Sequence, residues 1–284
     1  MNGGLAREAA KQSPGDRASI LWADTRYVGR GVFLFFAACR RLVAFTLITL
    51  GVLRTKWRLA AEVTFPSIRV ELAGAGLRLL PMFLFMSAAL GLAVIGQAVS
   101  WLGRFGANSY LGTILVVVVV RELGPLLTAL LVLSRAGARY AIDLATMRAL
   151  GEVEVLEALG IDPIHYLVVP RVIGMALGVF ALTVFFIISV LGFGYLFAFL
   201  NGIPLRPGEF AKHIAEALSG LDFAFLAIKS CLFGTVIGVI TCYQGLSQPL
   251  RLAEVSRASV RAMIQSVVAC VLLDMLFLLM YLLV

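Results

Sequence analysis

Five stretches of this chain are apolar over enough residues to cross a membrane as helices. The hydrocarbon core of a bilayer is about 30 Å thick, which takes about 20 helical residues. The chain is 61% hydrophobic and only 14% charged, whereas soluble domains carry about 25% charged residues. The apolar runs are unbroken rather than alternating, which favours helices over the strands of an outer-membrane barrel. The sequence therefore predicts an all-α integral membrane protein with five transmembrane helices, at Leu79–Leu102, Leu111–Ser134, Val172–Leu200, Phe223–Tyr243 and Met263–Leu283.

The positive charges predict the orientation. The net charge is +8, and half of the Lys and Arg residues precede Leu79, which fits a cytoplasmic face against anionic lipid rather than a nucleic-acid surface. The segments Arg135–Arg171 and Gln244–Ala262 are rich in Arg, and the alternate loops are poorer. By the positive-inside rule, the N-terminus and both rich segments are cytoplasmic, and the C-terminus lies on the far side. The first seventeen residues have no apolar core, so no cleavable signal is expected.

The first 71 residues are predicted to form a separate cytoplasmic or interfacial segment, and residues 72–284 the transmembrane domain. Within the first segment, Gly31–Leu53 is split by Arg40 and Arg41 into two apolar pieces, each too short to span. This pattern favours an N-terminal amphipathic helix lying in the cytoplasmic interface. A sixth span is the alternative.

Two adjacent charges, Arg121 and Glu122, interrupt the second apolar stretch. An ionised group at the bilayer centre costs about 3 kcal/mol on insertion scales, so such residues mark functional sites by default. Neighbouring helix positions point about 100° apart, so the two need not pair with each other. Pro125 lacks an N–H and clashes with the carbonyl of Arg121, which predicts a kink. A substrate cavity or a moving gate is one interpretation, and an internal ion pair that pins the helix is the other.

Lys229 and Asp274 add two more charges, on the fourth and fifth stretches. Together with Arg121 and Glu122 they sum to zero, so mutual pairing could neutralise all four. A proton relay is the alternative role for this group.

The Arg-rich segment after the second stretch contains two further patterns. Gly137, Ala141 and Ala145 recur every four residues, a small-residue face that lets helices approach closely. A short helix is then predicted over Glu152–Leu159, ended by Gly160 and Pro163. A compact acidic helix could dock into a groove of a soluble partner, or it could be a solvated connector. The acidic residues are Glu152, Glu154, Glu157 and Asp162.

Several classes of function lack their motifs. No phosphate-binding GxxxxGK[ST] loop is present, so any ATPase that drives this protein is a separate chain. No Ser-His-Asp, Cys-His or paired-carboxylate pattern suggests an enzyme, and His165 and His213 belong to no metal motif. We therefore expect no catalytic residues, no metal and no cofactor in this chain. The four cysteines have no CxxC spacing and are expected to be packing residues.

Three blocks of sequence resemble the MlaE (YrbE-like) permeases of ABC-type lipid transporters. They are RELGPLLTALL at Arg121–Leu131, SRAGARYAIDLATM at Ser134–Met147 and ALGIDPIHYLVVPR at Ala158–Arg171. The similarity extends from about Leu72 to the C-terminus. The chain departs from the family pattern on the expected ATPase-facing side, at Asp143, Ala145, Gly151–Val153 and Leu250–Arg251. Those departures bear on the identity of the partner more than on the fold.

The resemblance implies a multi-pass permease of the bacterial inner membrane that works as a homodimer and moves phospholipids, maintaining outer-membrane lipid asymmetry. It implies cytoplasmic ATPase subunits that bind ATP and Mg, a periplasmic MCE-domain protein and, in some systems, a STAS-domain regulator. By this resemblance Gln97, Arg121 and Glu122 line or brace a lipid cavity at the dimer interface. The segment from Glu152 to Pro163 couples to the ATPase.

Two other functions stay open on the residues alone. One is an ion-coupled secondary transporter that uses Glu122, Lys229 and Asp274 as a relay. The other is a membrane-embedded enzyme acting on lipid with Glu122 as acid or base, which the missing nucleophile and metal patterns disfavour.

Overall fold

A computed structural model describes residues 45, 51, 79–98, 101, 111–200, 207–247 and 252–283. The chain divides into two compact units, Met1–Ile48 and Thr49–Val284, and everything below concerns the second unit. The interfacial helix predicted within Gly31–Leu53 falls outside the described residues, except for Phe45 and Gly51. That helix and the predicted boundary after residue 71 stay predictions.

Every element in the described part of the second unit is helical, and five helices are long and apolar enough to span a membrane. This confirms the predicted fold class. The five spans are α1 (Leu80–Ala98), α2 (Gly112–Ala149), α4 (Ile164–Leu200), α6 (Gly220–Leu246) and α7 (Val255–Leu283). Two shorter helices lie between them, α3 (Glu152–Ala158) and α5 (Pro207–Ala217), and a 3-10 turn at Leu252–Glu254 precedes α7.

Three of the five spans extend at least eight residues beyond one end of their predicted apolar stretches. The helix α2 continues 15 residues past Ser134, to Ala149, and α4 and α7 each begin eight residues before the predicted start. Hydropathy identifies only the part of a helix that lipid surrounds, whereas the backbone hydrogen bonds continue into water wherever the residues allow. Much of the predicted cytoplasmic loops is therefore helical extension of the spans.

Short π-helical segments interrupt several spans. In α2 one covers Val116–Leu123 and ends beside Pro125, and the N–H of Gly124 donates to the carbonyl of Val119. Regular α-helix resumes at Gly124–Val132. The structure thus has a local widening of the helix directly before Pro125, a common feature of functional sites, and the predicted kink at Pro125 stays a prediction.

The helix α6 packs against α4, α7 and α2. Glycines permit the close approach: a Cβ added at Gly234 would lie 2.6 Å from the Cα of Ala176. A Cβ added at Gly245 would lie 2.7 Å from the Cβ of Leu144, and it would also meet backbone atoms of Ala141 and Ala145. The predicted small-residue face of α2 is thus used inside the chain, against α6. Among the five spans α7 is the least buried.

Candidate functional site

Lys229 lies at the centre of a cluster of charged groups where α2, α6 and α7 meet. Its Nζ is 3.1 Å from Glu122 Oε2 and 2.8 Å from Asp274 Oδ1, and it donates a 2.9 Å hydrogen bond to the carbonyl oxygen of Arg121. The side chain is 1% exposed. An ammonium has three N–H donors: Lys229 forms hydrogen bonds to Glu122 Oε2 and to the Arg121 carbonyl, and Asp274 adds an ion-pair contact. A cation this buried needs such partners to be tolerated in lipid.

The third partner exists because of Pro125. A proline inside a helix has no N–H to donate to the carbonyl four residues earlier, which here is the carbonyl of Arg121. Lys229 supplies the donor from the neighbouring helix. The Arg-Glu-x-x-Pro pattern of α2 therefore provides Lys229 with two acceptors, one from a side chain and one from the backbone.

Arg121 itself pairs with Asp222, at the start of α6. Its Nε lies 2.9 Å from Asp222 Oδ1, and Nη2 donates to Oδ2 at 3.1 Å. Asp222 also accepts a 2.9 Å hydrogen bond from the backbone N–H of Ser219, within a capping box. A carboxylate in the first turn is stabilised by the helix dipole. The Tyr281 ring centroid lies 5.2 Å from the guanidinium carbon.

We refer to Arg121, Glu122, Asp222, Lys229 and Asp274 as the ion-pair network. Lys229 lies about nine residues from the start of α6, and Asp274 lies about nine residues from the end of α7. At 1.5 Å per residue both are roughly 13 Å from the helix ends, near the middle of a 30 Å core if the ends mark its surface. Asp222 lies closer to the helix end, so Arg121 extends toward the membrane surface.

Burial within the network is uneven. Lys229 and Asp222 are 1% and 3% exposed, whereas Arg121 is 30%, Glu122 25% and Asp274 16% exposed. The network thus has a sealed side and an accessible side. The network contains two cations and three carboxylates. The zero net charge predicted for Arg121, Glu122, Lys229 and Asp274 therefore left out one carboxylate, Asp222.

The structure brings together four of the residues that the sequence singled out. Glu122 and Asp274 both pair with Lys229, as one of the two interpretations expected. The side chains of Arg121 and Glu122 pair with different residues, Asp222 and Lys229. Asp222 was missed, because it lies one residue before the predicted start of the fourth span at Phe223. Its signal is the Ser219-x-x-Asp222 capping pattern, which also locates the start of α6 more closely than hydropathy does.

Gln97 lies on α1, a helix that contributes no residue to the ion-pair network. Its side chain is exposed, near the C-terminal end of α1. The helix α1 packs chiefly against α4. Its predicted place in a cavity stays a prediction.

The helix α3 lies at the opposite end of α2. Gly151 and Gly160 flank it with φ of 78° and 75°, a left-handed conformation that suits glycine. The N–H of Gly160 donates to the carbonyl of Glu157, and that of Ile161 to the carbonyl of Leu156, a Schellman-type end. The helix lies at Glu152–Ala158, one residue shorter than the predicted Glu152–Leu159, and its coupling role stays a prediction.

The surface of α3 is both acidic and apolar. Val153 is buried against the chain, whereas Val155 and Leu159 are 59% and 69% exposed. Arg148 of α2 forms a 3.3 Å ion pair with Glu154. The predicted acidic residues lie on or just after this helix: Glu152, Glu154 and Glu157 are exposed, and Asp162, half-buried beside Pro163, accepts a hydrogen bond from the N–H of Ile164.

The sequence matches the family described as Permease MlaE over residues 69–280. The chain belongs to the MlaE permease family. The match includes all five spans, the ion-pair network and α3, and it confirms the resemblance found in the sequence.

Curated relatives agree with this assignment. The protein TRIGALACTOSYLDIACYLGLYCEROL 1, chloroplastic, from Arabidopsis thaliana is 29% identical over 256 residues, which cover 89% of this chain and 68% of the relative. A probable ABC transporter permease protein from Rickettsia prowazekii is 32% identical, over 69% of this chain and 75% of the relative. A probable ABC transporter permease protein from Synechocystis is 30% identical, over 58% and 62%.

The MlaE-family chain is therefore a multi-pass membrane permease of the ABC type. Permeases of this type work with an ATPase. Within the described residues, no group of three His, Cys, Asp or Glu side chains could hold a metal ion.

Proposed function

We propose that this chain is the permease subunit of a transporter that moves phospholipids between the bacterial inner membrane and a periplasmic MCE-domain protein. A separate cytoplasmic ATPase supplies the energy, and two copies of the chain enclose the lipid path. The observation that carries this proposal is the continuity of α2: one helix of 38 residues contains Arg121 and Glu122 and ends at Ala149, just before α3.

The length of α2 makes it suited to transmit motion. At 1.5 Å per residue it is about 57 Å long, well beyond the 30 Å of the hydrocarbon core. The end near Ala149 therefore extends into the cytoplasm and presents α3 there. A displacement of α3 would be passed along α2 to Arg121 and Glu122, through the widened segment Leu133–Gly137.

The surface of α3 fits an ATPase partner. Short apolar helices that insert into grooves are a recurring mode of recognition, and Val155 and Leu159 provide exposed apolar side chains. The surrounding carboxylates of Glu152, Glu154 and Glu157 favour a basic rim on the partner. The helix α3 packs against the end of α2, with the half-exposed Arg148–Glu154 ion pair between them, so a displacement of one helix would reach the other.

The ion-pair network fits a role as one wall of the lipid path. Its accessible side offers Arg121, Glu122 and Asp274 to a polar headgroup, while apolar faces of the spans accept acyl chains. The guanidinium of Arg121 already has a two-point partner in Asp222. A lipid phosphate would therefore have to compete with Asp222, and we infer that Arg121 braces the path more than it captures the headgroup.

The homodimer follows from the same reasoning. One chain presents the partly exposed network and the poorly buried α7 on its surface, and a second copy facing it would enclose the charges away from lipid. On this arrangement Gln97 is a further polar residue of the path. A STAS-domain regulator would bind on the cytoplasmic side.

A second candidate function is an ion-coupled transporter. The observation that favours it is that Glu122 and Asp274 share the single ammonium of Lys229. Such a carrier would move substrate under an ion gradient without an ATPase. Transport by the purified chain alone in proteoliposomes, driven by a proton gradient, would support this alternative.

The docking step tests the proposal directly. The chain is co-purified with an ABC-type ATPase subunit from the same organism, and the ATPase rate of the complex is measured. We expect Leu159→Asp and Val155→Asp to lose the partner while the permease stays folded, because a buried unpaired carboxylate is costly at an interface. Lys212→Asp, at a side chain 74% exposed on α5, is the control and should keep the partner. Full retention in both α3 variants would exclude α3 as the docking element.

A further inference from the structure

A groove of about 390 Å³ opens between the last turns of α4 and the short helix α5. It is separate from the ion-pair network. Its walls consist of apolar and small side chains, with no charged residue: Leu191, Gly192 and Tyr195 from α4, and Phe210, Ala211, Ile214, Ala215 and Leu218 from α5 and the residue following it.

The groove exists because small residues line its middle. A Cβ added at Gly192 would meet nothing within 4 Å, and Ala211 and Ala215 leave the facing wall of α5 equally shallow. Tyr195 and Phe210 pack with ring centroids 5.3 Å apart and join the two helices. The walls are held in place while the space between them stays open.

The groove lies at the level of the outer turns of the spans. Leu191 is about nine residues before Leu200, the last residue of α4. The helix α5 packs against Leu111–Leu115, the beginning of the second apolar stretch. Both walls therefore belong to the half of the protein that lies opposite α3.

The floor of the groove is continuous with the packing around the network. Leu191, Ile214 and Leu218 pack against a buried cluster that includes Val120. Val120 directly precedes Arg121 in α2. A molecule in the groove would thus contact the residues that support the network from behind.

We propose that this groove binds one acyl chain of a membrane phospholipid, with the headgroup at the outer surface beside α5. At this level of a membrane-spanning helix the surrounding solvent is acyl chain, and a groove without polar partners does not hold ordered water. A flexible apolar chain is the matching occupant in shape and chemistry. Lys212 follows Ala211 in sequence, is 74% exposed and lies 3.7 Å from the carboxylate of Glu216, so a lipid phosphate beside α5 would compete with this exposed ion pair for the ammonium.

This lipid site is independent of the transport proposal. The proposal is that an acyl chain binds in the groove between α4 and α5, and this binding would occur even if the chain moved no lipid. The experiment therefore measures binding, without ATP and without the ATPase.

The test uses a phospholipid with a photoreactive diazirine in its acyl chain, incorporated into phosphatidylcholine vesicles that contain the full chain. After illumination, labelled peptides are located by mass spectrometry. We expect labels concentrated on residues 191–195 and 210–218. In Gly192→Trp the indole fills the groove, and labelling there should fall about tenfold, the equivalent of 1.4 kcal/mol in binding.

Two variants make the result decisive. Ala215→Trp fills the groove from the opposite wall and should reproduce the loss. Leu177→Trp changes a residue that is 44% exposed on the same helix, far from the groove, and should leave labelling intact. Elution volume and melting temperature confirm that each variant is folded. Labels spread evenly over the exposed faces, or undiminished in both groove variants, would overturn the site, as would a crosslink showing a second copy seated in it.

Discussion

Lys229 donates a 2.9 Å hydrogen bond to the carbonyl oxygen of Arg121, the carbonyl that lies four residues before Pro125. The proline removes the usual donor from that carbonyl, and the lysine of another helix replaces it. The Arg121 carbonyl, which lacks a donor within α2, and the buried ammonium of Lys229 in α6 therefore satisfy each other. The roles of Pro125 and Lys229 in the fold depend on each other.

Removal of the cation should be costly. Lys229→Met leaves Glu122 and Asp274 without their shared partner, and breaking a buried pair in this way costs about 3–5 kcal/mol. We expect a strongly lowered melting temperature in detergent. The triple variant Glu122→Gln, Lys229→Met, Asp274→Asn removes all three charges and should recover most of the loss. If Lys229→Met were as stable as the wild type, Lys229 would not be the counterion that neutralises Glu122 and Asp274.

Restoring the missing N–H should separate stability from function. Pro125→Ala lets residue 125 donate to the carbonyl of Arg121, and alanine is favoured over proline inside a helix by about 3 kcal/mol. We expect unchanged or higher stability, together with slower lipid transfer, because the widened segment Val116–Leu123 would become regular. Pro207→Ala, at the first residue of α5, is the control, since a proline there costs no hydrogen bond. Faster transfer in Pro125→Ala would contradict this role.

Asp222 combines two functions that substitutions can separate. Ser219→Ala removes the cap side chain alone and should cost about 1 kcal/mol. Asp222→Asn keeps a capping oxygen but removes the charge that holds Arg121, and hydrogen bonds to charged groups contribute about 1.5–3 kcal/mol each. We therefore expect the larger drop in melting temperature for Asp222→Asn. The reverse order would mean that the cap, rather than the Arg121 pair, is the main contribution of this turn.

The close packing of α4 and α6 depends on Gly234. An added Cβ would lie 2.6 Å from both the Cα of Ala176 and the carbonyl oxygen of Met175, and backbone atoms cannot move aside as a side chain can. Gly234→Ala should therefore lower the melting temperature, with a cost of about 1–3 kcal/mol for overpacking. Gly192→Ala introduces the same methyl group into open space on α4 and should not. Equal stability of the two variants would contradict the close approach of these two helices at Gly234.

The number and type of the spans followed from the sequence because lipid imposes a simple rule on apolar length. The ends of the spans did not follow from the sequence, because α2 continues to Ala149 through backbone hydrogen bonds in water, which apolar length does not predict. The short helix α3 was predictable because Gly160 and Pro163 mark its end chemically. The sequence therefore predicted the features that apolar length or a helix-ending residue determines, and it did not predict helix ends that lie in water.

The network shows the same division. Arg121, Glu122, Lys229 and Asp274 stood out because each charge is expensive in lipid, and a neutralising arrangement was one expected outcome. Which charge pairs with which depends on the rotation of three helices about their axes, which a single sequence does not contain. Asp222 was missed because hydropathy assigns it to a loop, although its capping pattern with Ser219 places it in the first turn of α6.

The most direct measurement is phospholipid transfer by the chain and its partner ATPase in proteoliposomes, with a fluorescent phospholipid as the probe. We predict transfer that requires hydrolysable ATP in the wild type and is strongly reduced in Glu122→Ala and Arg121→Ala. Transfer at the wild-type rate in both variants would remove the network from the mechanism. An absence of any ATP-dependent lipid movement in the wild-type complex would contradict the account as a whole.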